Sequence, residues 1–135
     1  MEVAAASAAL PGWAGTPAPR RASVIFRYRD LMVQNIDALA ELVGKEHGKT
    51  IEDAKGSIQR GIDVAEFACG VPHLLKGELS TNVGGGIDTY PVRGPVGGGA
   101  GITPSHFPVM IPCWQRRVAV CGGRESAREG AWGAV

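Results

Sequence analysis

Residues 94–114 read GPVGGGAGITPSHFPVMIPCW, and this is the most informative stretch of the chain. The glycines between positions 97 and 101 leave room for another group to approach the backbone, because residues without a side chain also tolerate positive φ. Residues 102–104 have the character of the end of a buried strand, and the prolines that follow predict an open turn. Since α/β proteins hold ligands beyond the carboxyl ends of parallel strands, the stretch predicts a ligand site.

The composition indicates one modest globular domain. The chain has 135 residues, of which 44% are hydrophobic and 20% are charged, a balance typical of globular rather than disordered proteins. The formal net charge of +1 gives no argument for a nucleic-acid partner. No apolar run approaches the roughly 20 residues that a membrane-spanning helix needs. The sequence therefore predicts a chain with neither a nucleic-acid nor a membrane partner.

Two long helices are predicted before residue 70. Residues 3–10 form a short helix that Pro11 stops, and apolar residues then recur at helical spacing from Arg20 to His47, over about six turns. Gly48 stands in the usual stop position, and Thr50 caps a second helix that runs to Cys69.

The second half of the chain predicts strands and turns. Residues 83–86 indicate a loop, residues 87–93 an edge strand, and residues 96–102 a glycine-rich central parallel strand. Beyond Gln115 we expect weak packing or disorder, with a strand-sized piece at residues 118–120. The predicted fold class is thus α/β: two long helices, then an edge strand, then one parallel strand.

Neither standard nucleotide-binding fingerprint is present. The glycines between 97 and 101 do not form GxGxxG before a helix. The tripeptide Gly48-Lys49-Thr50 has Val43 where a P-loop requires glycine, so it is interpreted as a helix stop followed by a helix cap. The three cysteines lack a CxxC motif and metal-like spacing, which favours a reduced, intracellular setting without a metal site.

Five side chains could carry chemistry, and the local sequence leaves each of them open. His106 could be a base, a ligand, a hydrogen-bond donor or an ordinary turn residue. Cys113 could be a nucleophile or a buried inert thiol. Arg60 could be solvated or could hold a carboxylate with two parallel hydrogen bonds. Phe107 and Trp114 fit the core or a pocket wall.

The run from Pro95 to Trp114 resembles the aldehyde dehydrogenase superfamily, whose pattern is PxGVxxxIxPxNFPxxxPxW. Residues 46–50, EHGKT, are similar to the E-x-G-K-T of that family, and residues 53–69 are similar to the helix that follows it. Arg60-Gly61, residues 66–69 and residues 110–114 look most like the branch of methylmalonate-semialdehyde dehydrogenases.

The resemblance implies an NAD-dependent, CoA-acylating oxidation of malonate or methylmalonate semialdehyde. It places such enzymes in valine and pyrimidine breakdown, as homo-oligomers, in mitochondria in eukaryotes, although no transit peptide is visible here. The strand end that would line the nicotinamide half of NAD comprises Ile102, Thr103, Pro104 and Ser105. His106 stands where the family has an asparagine that steadies the oxyanion, and Phe107 and Trp114 match the aldehyde tunnel wall. Arg60 matches a tunnel position where an arginine suits a substrate carboxylate.

The resemblance stops at Trp114, and the family's catalytic cysteine and glutamate have no counterpart in the chain. We therefore expect residues 1–114 to be a partial NAD-binding region, with residues 87–95 part of the oligomerisation sheet and residues 115–135 a divergent tail. The expected function is that of an enzyme fragment, inactive alone. The alternatives are a non-catalytic protein that docks on full-length subunits, or a truncated gene product without a role.

Overall fold

The computed structural model describes the backbone of residues 2–123 and 126–130 and the side chains of residues 3–123. Helices dominate the first half of the chain, and short strands appear in the second half. The helices are α1 (Glu2–Ala14), α2 (Ala18–Gln34), α3 (Ile36–His47), α4 (Ile51–Cys69), α5 (Val71–Leu74) and α6 (Met110–Cys121). The strands are β1 (Ser80–Gly84), β2 (Ile87–Thr89), β3 (Gly99–Thr103) and β4 (Ser126–Gly130).

Helix α4 is the centre of the core. The hydroxyl of Thr50 accepts a hydrogen bond from the backbone N–H of Asp53 at 3.3 Å, which caps the helix as the sequence predicts. Helices α2, α3 and α6 pack against α4. Its inward stripe at helical spacing is therefore fully covered, and Ile58 and Ala65 have no exposed surface.

The predicted helix from Arg20 to His47 is wrong in one respect, because it is two helices. Asn35 breaks it with φ −112° and ψ 20°. The side-chain amide of Asn35 donates to the Leu31 carbonyl at 2.7 Å, and such local bonds compete with helix continuation. Gly48 ends α3 with φ 81°, a left-handed conformation that glycine adopts without a steric cost.

Helix α1 also differs from the prediction, because Pro11 lies inside it and does not stop it. The last turn of α1 is anchored by tertiary contact. The indole N–H of Trp13 donates to the Val120 carbonyl at 2.8 Å, so a bond to a residue far along the chain holds the helix past the proline.

Arg21 ties the ends of two helices to α2. Its buried guanidinium donates to the Cys121 carbonyl at 2.9 Å, at the end of α6. It also donates to the carbonyl of Ala14, the last residue of α1, and to that of Thr16, two residues further on. Helix carboxyl ends carry partial negative charge and unpaired carbonyls, so a cation is stabilised there.

Strands β1 and β2 form an antiparallel hairpin with Ser80 opposite Thr89 and Gly84 opposite Ile87. The turn contains Gly85 and Gly86, both at positive φ. The predicted loop at residues 83–86 thus includes the end of β1, and the predicted strand at 87–93 ends at Thr89, two residues before Pro91. Every residue of both strands is exposed.

Strand β3 lies parallel to β4, with Gly99 opposite Ser126 and Thr103 opposite Gly130. The predicted parallel pairing is confirmed, but the strand runs from Gly99 to Thr103 rather than over residues 96–102. The prediction of a central strand is wrong for the described residues, because the sheet they form there has two strands. The prediction of weak packing or disorder beyond Gln115 is wrong for residues 126–130, which form β4, and residues 124–125 and 131–135 lie outside the described residues. It is also wrong for residues 115–121, because they complete α6, so the predicted strand piece at 118–120 is helical. The bond from Trp13 to Val120 and the burial of Cys121 explain the difference, since both depend on distant parts of the chain.

Candidate functional site

The end of β3 and the turn that leads from it to α6 carry most of the predicted site residues. The turn begins at the carboxyl end of β3, where ligands of parallel sheets bind. Ile102 is 69% exposed, Thr103 is half-buried, and Pro104 and Ser105 are exposed. The side-chain amide of Gln115 donates to the Ile102 carbonyl at 3.1 Å, so α6 holds the strand end in place.

His106 and Phe107 form a ring pair in this turn. Their centroids lie 4.7 Å apart with an interplanar angle of 61°, an edge-to-face arrangement. His106 is exposed and Phe107 is half-buried. The imidazole is therefore packed against an aromatic ring while the residue as a whole is exposed, and an imidazole N–H is a hydrogen-bond donor.

Lys49 is a site residue that the sequence analysis missed. Its ammonium lies 4.1 Å from the centroid of the Phe107 ring, and its side chain is only 11% exposed. The same nitrogen is 3.5 Å from the hydroxyl of Ser57 and 3.5 Å from a carboxylate oxygen of Asp53. The interpretation of residues 48–50 as a helix stop and cap is right for Gly48 and Thr50 and leaves Lys49 unexplained. The spacing of Lys49 and Asp53 was the available signal, since pairs four apart attract.

Arg60 and Trp114 are adjacent in sequence to the two residues at which α4 and α6 meet. Their sequence neighbours Gly61 and Cys113 are in contact there, because a Cβ on Gly61 would lie 3.3 Å from the Cys113 sulfur. Arg60 is exposed and has no hydrogen-bond or ion-pair partner among the residues that the structure describes, and Trp114 is 43% exposed. The guanidinium is therefore available to an anion.

The three cysteines, Cys69, Cys113 and Cys121, are all free and buried. Burial raises the pKa of the Cys69 and Cys121 thiols. Cys113 Sγ lies 3.5 Å from the Tyr28 hydroxyl. None of them has the exposed, electropositive surroundings that activate a thiol, so Cys113 is the buried thiol of the two possibilities raised for it.

Tyr28 on α2 contacts two residues of α6, Cys113 and Arg117. The guanidinium of Arg117 stacks 3.2 Å from the centroid of its ring. Burial, together with the interaction with Cys113, raises the pKa of Tyr28 to about 12. The phenol thus stays neutral through the physiological range and joins α2 to α6.

The described residues, 2–123 and 126–130, offer neither a cluster of metal ligands nor a membrane-spanning helix. These residues contain no group of three or more His, Cys, Asp or Glu side chains that could hold a metal ion. None of the helices formed by them is long and apolar enough to cross a membrane.

Comparison with known families and sequences gives a consistent set of matches. The model of the aldehyde dehydrogenase family matches residues 1–125. A malonate-semialdehyde dehydrogenase from Pseudomonas aeruginosa is 47% identical over 119 residues, covering 88% of this chain and 24% of that protein. Another, from Bacillus pumilus, is 46% identical over 121 residues, covering 90% of this chain and 25% of that protein.

Solved structures agree with these matches. A methylmalonate-semialdehyde dehydrogenase from Oceanimonas doudoroffii superimposes with a TM-score of 0.94 at 46% identity, covering 97% of this chain and 27% of that one. A candidate methylmalonate-semialdehyde dehydrogenase from Sinorhizobium meliloti, complexed with NAD, superimposes with a TM-score of 0.92 at 48% identity. The match covers 96% of this chain and 26% of that one. The chain thus spans about a quarter of the length of these relatives. Their bacterial sources lend no support to the mitochondrial location.

Proposed function

This chain belongs to the aldehyde dehydrogenase family, and on that premise we propose that it supplies the cofactor-facing strand and the aldehyde-facing turn of an NAD-dependent malonate- or methylmalonate-semialdehyde dehydrogenase. The observation that carries the proposal is Arg60, an exposed guanidinium without a partner among the described residues, adjacent in sequence to the residue at which α4 meets α6. Semialdehydes of this class carry a carboxylate, which a guanidinium binds with two parallel hydrogen bonds.

The open carboxyl end of β3 fits the nicotinamide half of NAD. Gly99 and Gly101 carry no side chain, and Ile102, Pro104 and Ser105 offer exposed surface beyond the strand. The chemistry that NAD supplies when bound is hydride acceptance. We assign residues 102–105 to hold and orient that half of the cofactor.

His106 is the proposed donor to the oxyanion. An imidazole N–H can donate a hydrogen bond to developing negative charge, as the family's asparagine amide does. Its packing on Phe107 restricts the ring, although the donor atom lies elsewhere than an amide nitrogen would. We propose a weaker oxyanion contact than in the family, with Phe107 and Trp114 as walls of the aldehyde tunnel.

We propose that these 135 residues alone do not complete the reaction. Acyl transfer through a thioester needs an activated thiol, and the three cysteines of the chain are buried. The valine and pyrimidine pathways, CoA as acyl acceptor and a mitochondrial location stay predictions from the resemblance. Docking on full-length subunits stays the alternative role, and the exposed β1–β2 hairpin favours it.

A chimera tests the proposal. The matched 119 residues of the Pseudomonas aeruginosa relative are replaced by those of this chain. Two chimeras are made: one keeps His106, and the other carries His106→Asn, which restores the amide of the family. We expect NAD-dependent oxidation of malonate semialdehyde. Arg60→Leu should lower kcat/KM for malonate semialdehyde by about 10- to 100-fold, because a charged hydrogen-bonded contact is lost, and should leave propanal, which has no carboxylate, unchanged.

The control variant is Arg60→Lys, which keeps the charge and loses the bidentate geometry. Its kcat/KM for malonate semialdehyde should therefore lie between that of the chimera with Arg60 and that of Arg60→Leu. The isolated chain should form no NADH. An equal loss for both aldehydes would contradict the assignment of Arg60. Comigration of the isolated chain with the full-length Pseudomonas enzyme on size exclusion would favour the docking role.

A further inference from the structure

The ammonium of Lys49 is enclosed by the protein, whereas a lysine at a helix junction ordinarily extends into water. Its side chain is 11% exposed. It is not needed to start α4, because the hydroxyl of Thr50 caps that helix. An ordered, desolvated lysine loses conformational entropy and hydration, so compensating contacts must hold it.

The polar contacts of Lys49 are long. The carboxylate of Asp53 lies 3.5 Å away and its side chain is 65% exposed, so solvent weakens this ion pair. The hydroxyl of Ser57 also lies at 3.5 Å, and Ser57 is buried. The remaining partner is the face of the Phe107 ring at 4.1 Å, which attracts a cation most strongly where water is excluded.

Phe107 connects this cation to His106. The Phe107 ring packs edge-to-face on the imidazole at 4.7 Å, so the orientation of one ring limits the orientation of the other. Lys49 lies between α3 and α4, in the packed half of the molecule, while His106 lies on an exposed turn. The contacts Lys49–Phe107 and Phe107–His106 therefore connect the packed helices to the turn.

We propose that Lys49 is a positioning residue, whose ammonium holds the Phe107 ring and thereby the His106 imidazole in its donating orientation. The catalytic meaning of that orientation rests on the proposed function, whereas the two contacts themselves do not. Lys49 touches neither substrate nor reacting atoms in this scheme.

The test uses NMR on the full 135-residue chain. Lys49→Met removes the charge at similar length, and Lys49→Arg keeps a cation that can stack on the ring. Lys55→Met is the matched control, because Lys55 lies on α4 and pairs with Asp37 at 2.7 Å on the surface. Ring-proton shifts of Phe107 and His106, and amide hydrogen exchange of residues 104–109, are measured for each.

We expect Lys49→Met to move both sets of ring shifts and to speed exchange in residues 104–109 by about tenfold, as a desolvated cation–π contact implies. Lys49→Arg should restore both readouts, and Lys55→Met should leave them at their original values. Unchanged shifts and exchange in Lys49→Met, or no rescue by arginine, would overturn the proposal.

A second variant covers the case in which Lys49→Met does not fold. Phe107→Leu removes the ring and leaves the lysine, so the ε-methylene shift of Lys49 should move downfield when the ring current is lost. No movement would also overturn the proposal. Because these measurements need no catalysis, an inactive chimera would refute the proposed function and leave this test intact.

Discussion

The helices around α4 and the β1–β2 hairpin contain similar apolar side chains, but only the helices bury them. Ile58 on α4 has 0% of its surface exposed, whereas Ile87 on β2 is 60% exposed. Helices α2, α3 and α6 pack on α4, while the hairpin is a two-stranded sheet with no third strand among the described residues. Burial is thus decided by the number of packed neighbours rather than by apolar content, and isolated two-stranded hairpins are marginally stable.

The largest expected effect comes from substitution in the packed region. Ile58→Ala should lower the free energy of unfolding by about 3 kcal/mol, since the lost methylenes leave a cavity inside a covered stripe. The same change at the hairpin, Ile87→Ala, should cost less than about 0.5 kcal/mol, because that side chain is mostly in water. Urea unfolding followed by circular dichroism measures both. Similar losses at the two positions would show that the hairpin has a covering partner.

An intermediate effect is expected at Arg21, which connects the packed region to α6. Arg21→Ala should lower the free energy of unfolding by about 2 kcal/mol, because buried carbonyls at the ends of α1 and α6 lose their donor. The neighbouring Arg20 is exposed, so Arg20→Ala is the control and should have little effect. If only Arg21→Ala loses stability in urea unfolding, and its amide hydrogens in α6 exchange faster, Arg21 connects the packed region to α6. Equal stability of the two variants would contradict it.

The smallest effect concerns Tyr28 and pH. Because the pKa of Tyr28 is raised from 10 to about 12, the folded state holds the phenolic proton more tightly than the unfolded state does. The contribution of this protonated phenol to the free energy of unfolding is complete below pH 10 and is lost as pH rises from 10 to 12. The Tyr28→Phe variant should therefore be slightly less stable than the parent chain at pH 9, with the difference shrinking toward pH 12.

The measurement for Tyr28 is urea unfolding of both chains at a series of pH values, so that effects of other titrating groups cancel in the difference. Tyrosinate absorbance gives a second readout, taken in the Tyr90→Phe background, which leaves a single tyrosine in the chain. A difference between the chains that stays constant with pH would contradict the burial of this phenol.

Residue order alone predicts the features that depend on local chemistry. The cap at Thr50 and the left-handed Gly48 follow from hydrogen bonding and sterics within a few residues. The motif from Pro95 to Trp114 likewise indicates the family, which residues 1–125 confirm. The predictions at Gly48 and Thr50 succeed because the groups that stabilise each helix end lie nearby in the chain.

Other features depend on partners far apart in sequence, and only the tertiary structure decides them. Helix α6 continues through residues 115–121 because Trp13 and Arg21 bond to its last turns. Lys49 meets Phe107 across 58 positions of chain (107 minus 49) only because the start of α4 packs near the turn after β3. Local propensity carries no information about such contacts, since their free energy comes from desolvation at surfaces that exist only once the helices have packed.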